Sequence, residues 1–503
     1  MYFIYTTFTR LPSNKSIQIE QLLSHHHESG NHSSNEQQKH EQADPEGTTF
    51  FAEIDNLYRS SRRTLLSHVP PRYMAETFIK CYFDAIEPAH QVLQSGSFLD
   101  EVSSFWSRPG AADDSWLAKF FATLALGSLL HCSCQSTETS AEQLPNTLYG
   151  VAHSCLRRTP YMAQPNRDNI RTLCLLVIFR QLTSLFCVES DGLWPVTGLI
   201  VRLAISLGVH KSDPKNGSMG QAIPTADKKL WHAVLFLDLR QSLASGRPVM
   251  TPYSMYCHAE ITDTANRDPQ EKEQTTASSD CNGSHDFGDI GFGHLTLIYE
   301  VLELSSRAHS IPYDLVIAYD GRLRQLLGHY HRRVMASVPR PHQSDNTISR
   351  QHFEWPMINI FLRRVLLALH NPFCHRERAY AVYPTSYWST LECCLSLLSE
   401  QNNLCQGGLE LCGVSTFFYA RLFRQEFYLA AVTISLRILE GESPIEPSNH
   451  CNCSKRARQT ICDTLIACRD IWRAQKDIST CHRKCFESLD SVLQVIEIRD
   501  DLA

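Results

Sequence analysis

The sequence predicts an all-α protein, a large array of helices forming a regulatory domain behind a disordered N-terminal arm. From Phe50 onward, apolar residues recur every three or four positions, which is the periodicity of helices with one buried face. Alternation of the strand type is almost absent, and no repeat of fixed period is visible. Hydrophobic residues make up 43% of the 503 residues, so a large buried core is feasible.

Two polar stretches divide the chain. Residues 1–47 form the predicted disordered arm, because the stretch from residue 11 is rich in Ser, His, Gln and Glu and cannot bury enough surface to offset its ordering entropy. Residues 264–290 are similarly polar and predict a mobile loop. They separate an N-terminal helical half, 48–263, from a C-terminal helical half, 291–503.

Three helices of the N-terminal half are predicted most clearly. The stretch Trp116–Leu130 is apolar on nearly all sides, which is typical of a central buried helix. A second helix begins with Pro195 in its first turn and ends at Gly208, a residue suited to the left-handed conformation. A third is capped by Thr225 and ends at Gly246.

The C-terminal half shows the same spacing in six further segments. They lie at residues 295–335, 353–369, 387–398, 417–439, 459–472 and 486–498.

The totals exclude several classes. Net charge is -6, whereas a domain that grips nucleic acid is usually basic on at least one face. The 19 cysteines have no framework spacing, which favours reduced intracellular thiols. The apolar stretch Phe120–Leu130 is too short to cross a bilayer, and the N-terminus does not fit a secretory signal, so we expect a soluble protein with no membrane contact.

Four blocks between residues 69 and 262 carry a family resemblance. In chain order they are PPRYMAETFIKCYFDAIEPAHQVLQSGSFLDE, WLAKFFATLALGSLL, LIVRLAISLGVHKSDP and KKLWHAVLFLDLRQSLASGRP. In this order they resemble the fungal-specific transcription factor domain, the middle homology region of zinc-cluster regulators. A later element, LALHNPFCH, resembles the family's LLHRPF. Lys229, His232 and Asn371 depart from the usual Arg, Trp and Arg of the family pattern.

The residues that match the family's motifs are expected to serve structure. They are Arg202, Leu207, Gly208, His210, Trp231, Asp238, Gly246, Arg247 and Pro248. Asp238 lies on or near an apolar stripe and should be paired if buried, with Arg240, Arg247 or Arg202 as candidate partners. A ligand-sensing role for Asp238 and Arg247 is the alternative to a buried structural pair.

The DNA-reading zinc cluster of the family is missing from this sequence. The family pattern needs C-x2-C pairs, and none occurs in the chain, where the first cysteine is Cys81. Two explanations stay open, a cluster-less regulator or an incomplete gene model. We expect no cofactor, and zinc only if a missing upstream exon supplies the cysteines.

Other groups invite a metal hypothesis. The C-terminal set comprises His450, Cys451, Cys453, Cys462, Cys468, Cys481, His482 and Cys485. Structural zinc usually needs close cysteine pairs on turns, and Cys468 instead shares a helical stripe with Ile461, Leu465 and Trp472, so burial is favoured. The tract His25–His27 could hold metal loosely, but a disordered polar segment explains it better.

Basic clusters and the tail each have two interpretations. Arg59, Arg62 and Arg63 could form a nuclear import signal, as could Lys455, Arg456 and Arg458, but a solvated helix face is favoured for each. The acidic and apolar tail 486–503 could be an activation segment, and a last helix packed on the core is favoured.

An all-α metal-dependent enzyme, such as a terpene-synthase-like protein, is the alternative class. It needs clustered carboxylates for magnesium, and Asp113 and Asp114 have no third carboxylate one turn on. No phosphate-binding loop, nucleophile elbow or zinc-protease motif occurs. We therefore expect a protein that is not an enzyme.

The resemblance implies a transcription regulator in a fungal nucleus, possible control of a metabolic or secondary-metabolite gene cluster, and helical faces for contacts. The expected partners are a homodimer or heterodimer partner or co-regulator proteins. DNA is contacted only indirectly by the chain as it stands. A small-molecule effector could bind between helices.

Overall fold

The structure, a computed structural model, describes residues 61–135, 143–183, 187–210, 225–256, 294–306, 311–337, 350–376, 378–406, 410–411, 414–439, 452–477 and 480–501. Within these ranges there are eighteen α-helices, two single 3-10 turns and one two-stranded hairpin, so the all-α prediction is confirmed. The predicted arm at 1–47 and the predicted loop at 264–290 lie outside the described residues.

Nine of the described helices precede residue 250. They are α1 Arg62–Leu66, α2 Arg72–Ala85, α3 Glu87–His90, α4 Ser95–Ser107, α5 Asp114–Gln135, α6 Gln143–Arg157, α7 Arg167–Thr183, α8 Cys187–Leu207 and α9 Thr225–Ser245, with a 3-10 turn at Pro109–Ala111.

Nine more follow it. They are α10 Leu295–Ser306, α11 Tyr313–Ser337, α12 Arg350–Cys374, α13 Ala379–Val382, α14 Pro384–Gln406, α15 Thr416–Ala420, α16 Arg424–Leu439, α17 Asn452–Ala474 and α18 Thr480–Asp501. A second 3-10 turn, Arg421–Phe423, precedes α16, and strands β1 Glu410–Leu411 and β2 Val414–Ser415 pair antiparallel.

Helix α5 is the centre of the N-terminal half. It packs against α2, α6 and α7, and its side chains from Leu117 to Leu126 are almost completely shielded from solvent. A helix shielded on all sides has no polar face to present, which is why its apolar residues show no single stripe. The prediction of a central buried helix is confirmed.

Helices α2 and α5 touch at their backbones. A Cβ placed on Gly127 of α5 would lie 1.9 Å from the carbonyl oxygen of Phe78 in α2. No side chain fits in that space, so glycine allows the two helix axes to approach this closely.

The C-terminal half is organised around the pair α12 and α14. Helix α11 packs on α12, while α16 and α17 pack on α14. The last helix, α18, packs on α16 and α17 and buries Leu489, Leu493 and Ile496. The preferred interpretation of the tail, a packed terminal helix, is therefore confirmed for the described residues up to 501.

Helix α8 starts earlier than predicted. The prediction placed Pro195 in its first turn, and this is wrong, because the helix begins at Cys187 and Pro195 lies inside it. Proline has no N–H to donate to the preceding turn, yet the neighbouring Leu193 and Val196 are buried and keep the segment helical. The predicted end is confirmed, since Gly208 follows Leu207 with a φ of 78°.

No helix among the described residues combines the length and the apolar character that crossing a bilayer requires.

Candidate functional site

The residues that match the family's motifs lie in α8 and α9 and in the turns that follow these two helices. Gly208 closes α8, with the N–H of Val209 donating to the carbonyl of Ala204 at 3.2 Å. His210 then lies over Trp231 of α9, with ring centroids 5.7 Å apart. Leu207 is partly buried against the core, and Arg202 is exposed. Gly208 therefore shapes the exit from α8, and His210 brings that exit against Trp231 of α9.

Asp238 is completely buried and organises the loop that follows α9. Its Oδ2 accepts hydrogen bonds from the Thr251 hydroxyl at 2.7 Å and the Thr251 N–H at 2.9 Å, while its Oδ1 accepts from the Met250 N–H at 3.3 Å. Burial raises the pKa of this carboxyl, and the same hydrogen bonds, with a long one from Tyr256, act in the opposite direction. Asp238 thus ties residues 250–251 back to the helix.

The prediction that an arginine pairs with Asp238 is wrong. Arg202 reaches only the carbonyl of Gly198, at 3.5 Å, and Arg240 faces another part of the core. Arg247 lies over the ring of Trp194, 5.2 Å from its centroid. Two backbone N–H groups and a hydroxyl, from Met250 and Thr251, take the place of a counter-ion for this carboxylate.

The same loop is fastened to α8. Gly246 has a φ of 64°, which allows the N–H of Arg247 to turn back to the Ser242 carbonyl. The indole N–H of Trp194 donates to the carbonyl of Pro248 at 3.0 Å. The motif from Gly246 to Pro248 therefore joins α9 to α8.

A second group of buried charges joins the two halves of the chain. Arg240 of α9 donates to the Leu422 carbonyl at 3.1 Å, and Arg364 of α12 donates to the Leu243 carbonyl at 2.9 Å. Glu426 of α16 is the anion that favours ionisation of both guanidinium groups, while burial lowers the pKa of each arginine. Sequence reasoning mentioned Arg240 only as a partner for Asp238 and missed Glu426 and Arg364.

Glu87 is a third buried titratable group. The residue as a whole is partly buried, but its carboxylate is turned inward, where it accepts from the Tyr82 hydroxyl at 2.5 Å. The Leu93 N–H donates to both carboxylate oxygens, at 2.9 and 3.0 Å. Desolvation outweighs these hydrogen bonds and raises the pKa of Glu87 to about 8.

His370, in the element that resembles LLHRPF, bridges three helices of the C-terminal half. Its Nδ1 lies 2.9 Å from the Ser386 hydroxyl, and its Nε2 lies 2.9 Å from Asp320 Oδ1. A Ser–His–Asp series is the composition of a hydrolase triad, but such a nucleophile must reach substrate. Ser386 and His370 are both 0% exposed, so this series links α11, α12 and α14 and does not form an accessible reactive centre.

The carboxylates considered for magnesium are used structurally. Asp113 accepts from the Trp116 N–H at 2.6 Å, which caps α5. Asp114 forms ion pairs with Arg62 at 3.4 Å and Arg158 at 3.0 Å. Among the described residues, no group of three or more metal-binding side chains converges.

The C-terminal thiols that the structure describes are mostly core residues. Cys468 is buried with Ile461, Leu465 and Trp472, as predicted, and Cys485 is also buried. His482 is buried against Trp472, with ring centroids 5.3 Å apart. His450, Cys451 and the side chains of Cys453 and Cys481 lie outside the described residues, as do His25–His27.

The basic clusters agree only in part with the expected solvated faces, since Arg63 is exposed as predicted. Arg62 is tied to Asp114, and Arg458 is 8% exposed, so for Arg458 the prediction of a solvated face is wrong. Arg456 is exposed as predicted, whereas Arg59 and the Lys455 side chain lie outside the described residues. Helix α17, which carries Arg458, packs on α14, α16 and α18.

Comparison with known proteins identifies the domain. The family described as the fungal specific transcription factor domain matches residues 79–298. Among curated proteins, the chain is similar to the transcription factor opdR of Penicillium oxalicum, 23% identical over 68% of this chain and 43% of that protein. It is also similar to the transcription factor lepE of Aspergillus flavus, 22% identical over 84% of this chain and 52% of that protein.

A third relative is the equisetin cluster transcription factor eqxF of Fusarium heterosporum, 24% identical over 85% of this chain and 62% of that protein. The chain spans about half the length of the curated relatives it matches. The resemblance inferred from the four blocks is confirmed by the family match, which includes α5, α8 and α9. The match to the fungal specific transcription factor domain therefore covers residues 79–298, which is less than half of the 503 residues.

Proposed function

We propose that this chain is the helical regulatory region of a fungal transcription regulator, acting through contacts with other proteins rather than through catalysis. The proposal rests on the family match over residues 79–298 and on the structural contacts of the residues that match the family's motifs. The loop after α9 is closed by Asp238 and Gly246 and is joined to α8 through Pro248. These contacts are structural. A scaffold of this kind presents helical faces to partners, which we propose are a second regulator chain or co-regulator proteins.

The genes under control are proposed to belong to a secondary-metabolite cluster. Relatives of this chain carry the names equisetin cluster transcription factor, aspyridones cluster regulator and fusarisetin A cluster transcription factor. We extend that type of target to this chain and place its action in the nucleus. The 503 residues hold no C-x2-C pair and have a net charge of -6, so these residues are proposed to regulate without reading bases themselves.

A tethering experiment tests the proposal. The full chain is fused to an unrelated DNA-binding domain and expressed in a filamentous fungus that carries a reporter gene with sites for that domain. We expect reporter transcription to change several-fold, in either direction, relative to the DNA-binding domain alone. Unchanged transcription at equal nuclear abundance of the two proteins would contradict a regulatory role.

Two assays on the purified chain separate the alternatives. In an electrophoretic assay at moderate salt we expect no sequence-selective retardation of DNA, and tight selective binding would overturn indirect action. Incubation with a prenyl diphosphate and magnesium should give no turnover. Magnesium-dependent turnover would restore the enzyme alternative.

A further inference from the structure

We draw no further inference here: the strongest candidate, the side-chain cluster of Cys374, His375 and Arg437 between α12 and α16, carries nothing, because it rests on a lowered pKa of one fully buried thiol that donates back to the Asn371 carbonyl of its own helix.

Discussion

At the scale of single residues, the hydrogen-bond partners of the buried carboxylates are what the sequence could not predict. A periodic pattern shows that Asp238 lies among apolar residues, and from this its need for partners could be predicted. Which groups satisfy it depends on the path of residues 246–251, and helical periodicity does not describe a loop. Thr251, the principal partner, lies 13 positions away and carries no sequence signal that links it to Asp238.

We expect Asp238→Asn to destabilise the protein by about 1–3 kcal/mol, because an amide offers one acceptor oxygen where the carboxylate serves three donors from Met250 and Thr251. The free energy of unfolding is measured by urea denaturation. Asp100→Asn on the exposed face of α4 is the matched control and should be neutral within about 0.5 kcal/mol. Equal effects of the two substitutions would refute the role of Asp238 in the loop.

Glu87 should make stability depend on pH. Its pKa of about 8 in the folded state lies above the ordinary value of 4.5, so the folded state binds the proton more tightly than the unfolded state does. Its contribution is fully present below pH 4.5 and is lost as pH rises toward about 8, so the unfolding free energy falls over this interval.

The measurement is a series of denaturation curves across this pH range for the wild type and for Glu87→Gln. Glutamine cannot titrate, so the variant should gain stability relative to the wild type as pH rises. A constant difference between the two proteins from pH 5 to pH 8 would show that Glu87 titrates normally.

At the scale of helices, hydrophobic periodicity predicted the positions of helices better than it predicted the contacts of single residues. The segments 353–369, 387–398 and 459–472 all lie inside observed helices, α12, α14 and α17. Ends were predicted where a glycine with positive φ stops the helix, at Gly208 and Gly246. The start of α8 was missed, because proline at a first turn and proline inside a packed helix have the same local sequence.

The contact between α2 and α5 could not be predicted, although Gly127 lies within the second of the four blocks. Gly127→Ala should destabilise the protein by about 3 kcal/mol, at the upper end for overpacking, because the new methyl group meets the backbone of Phe78 and not a flexible side chain. Thermal and urea denaturation provide the measurement.

Gly328→Ala is the matched control, in the interior of α11 with nothing within 4 Å of the added Cβ. It should stabilise the protein by up to about 1 kcal/mol, the helix-propensity difference. A neutral Gly127→Ala would mean that α2 and α5 do not approach as described.

At the scale of the whole molecule, buried charge joins segments that are far apart in sequence. Arg240 belongs to the matched domain at 79–298, whereas Arg364 and Glu426 lie beyond it. Each is more than nine-tenths buried, and burial raises the pKa of Glu426 while the charges of Arg240 and Arg364 act in the opposite direction. These contacts could not be predicted from the sequence, because Arg240 and Arg364 lie more than a hundred positions apart and no local motif marks either residue.

Removing the shared anion should be the most damaging change at this junction. Glu426→Gln leaves two buried guanidinium groups without a counter-charge, and we expect a loss of about 3–5 kcal/mol in the free energy of unfolding. Glu76→Gln in an exposed pair with Arg72 is the control and should change stability by less than about 0.5 kcal/mol. A small loss at Glu426 would show that the two buried arginines do not depend on its charge.

We propose that the residues that match the family's motifs act by fixing the shape of the α8–α9 region. The most direct test is one plot, in which reporter output of the tethered chain is set against the measured free energy of unfolding. The variants are Asp238→Asn, Gly127→Ala, Glu426→Gln and Gly328→Ala. We expect reporter output to follow the folded fraction, with Gly328→Ala at wild-type level or above. If Asp238→Asn stays fully folded and yet abolishes output, Asp238 has a role in binding or chemistry, and the claim is contradicted.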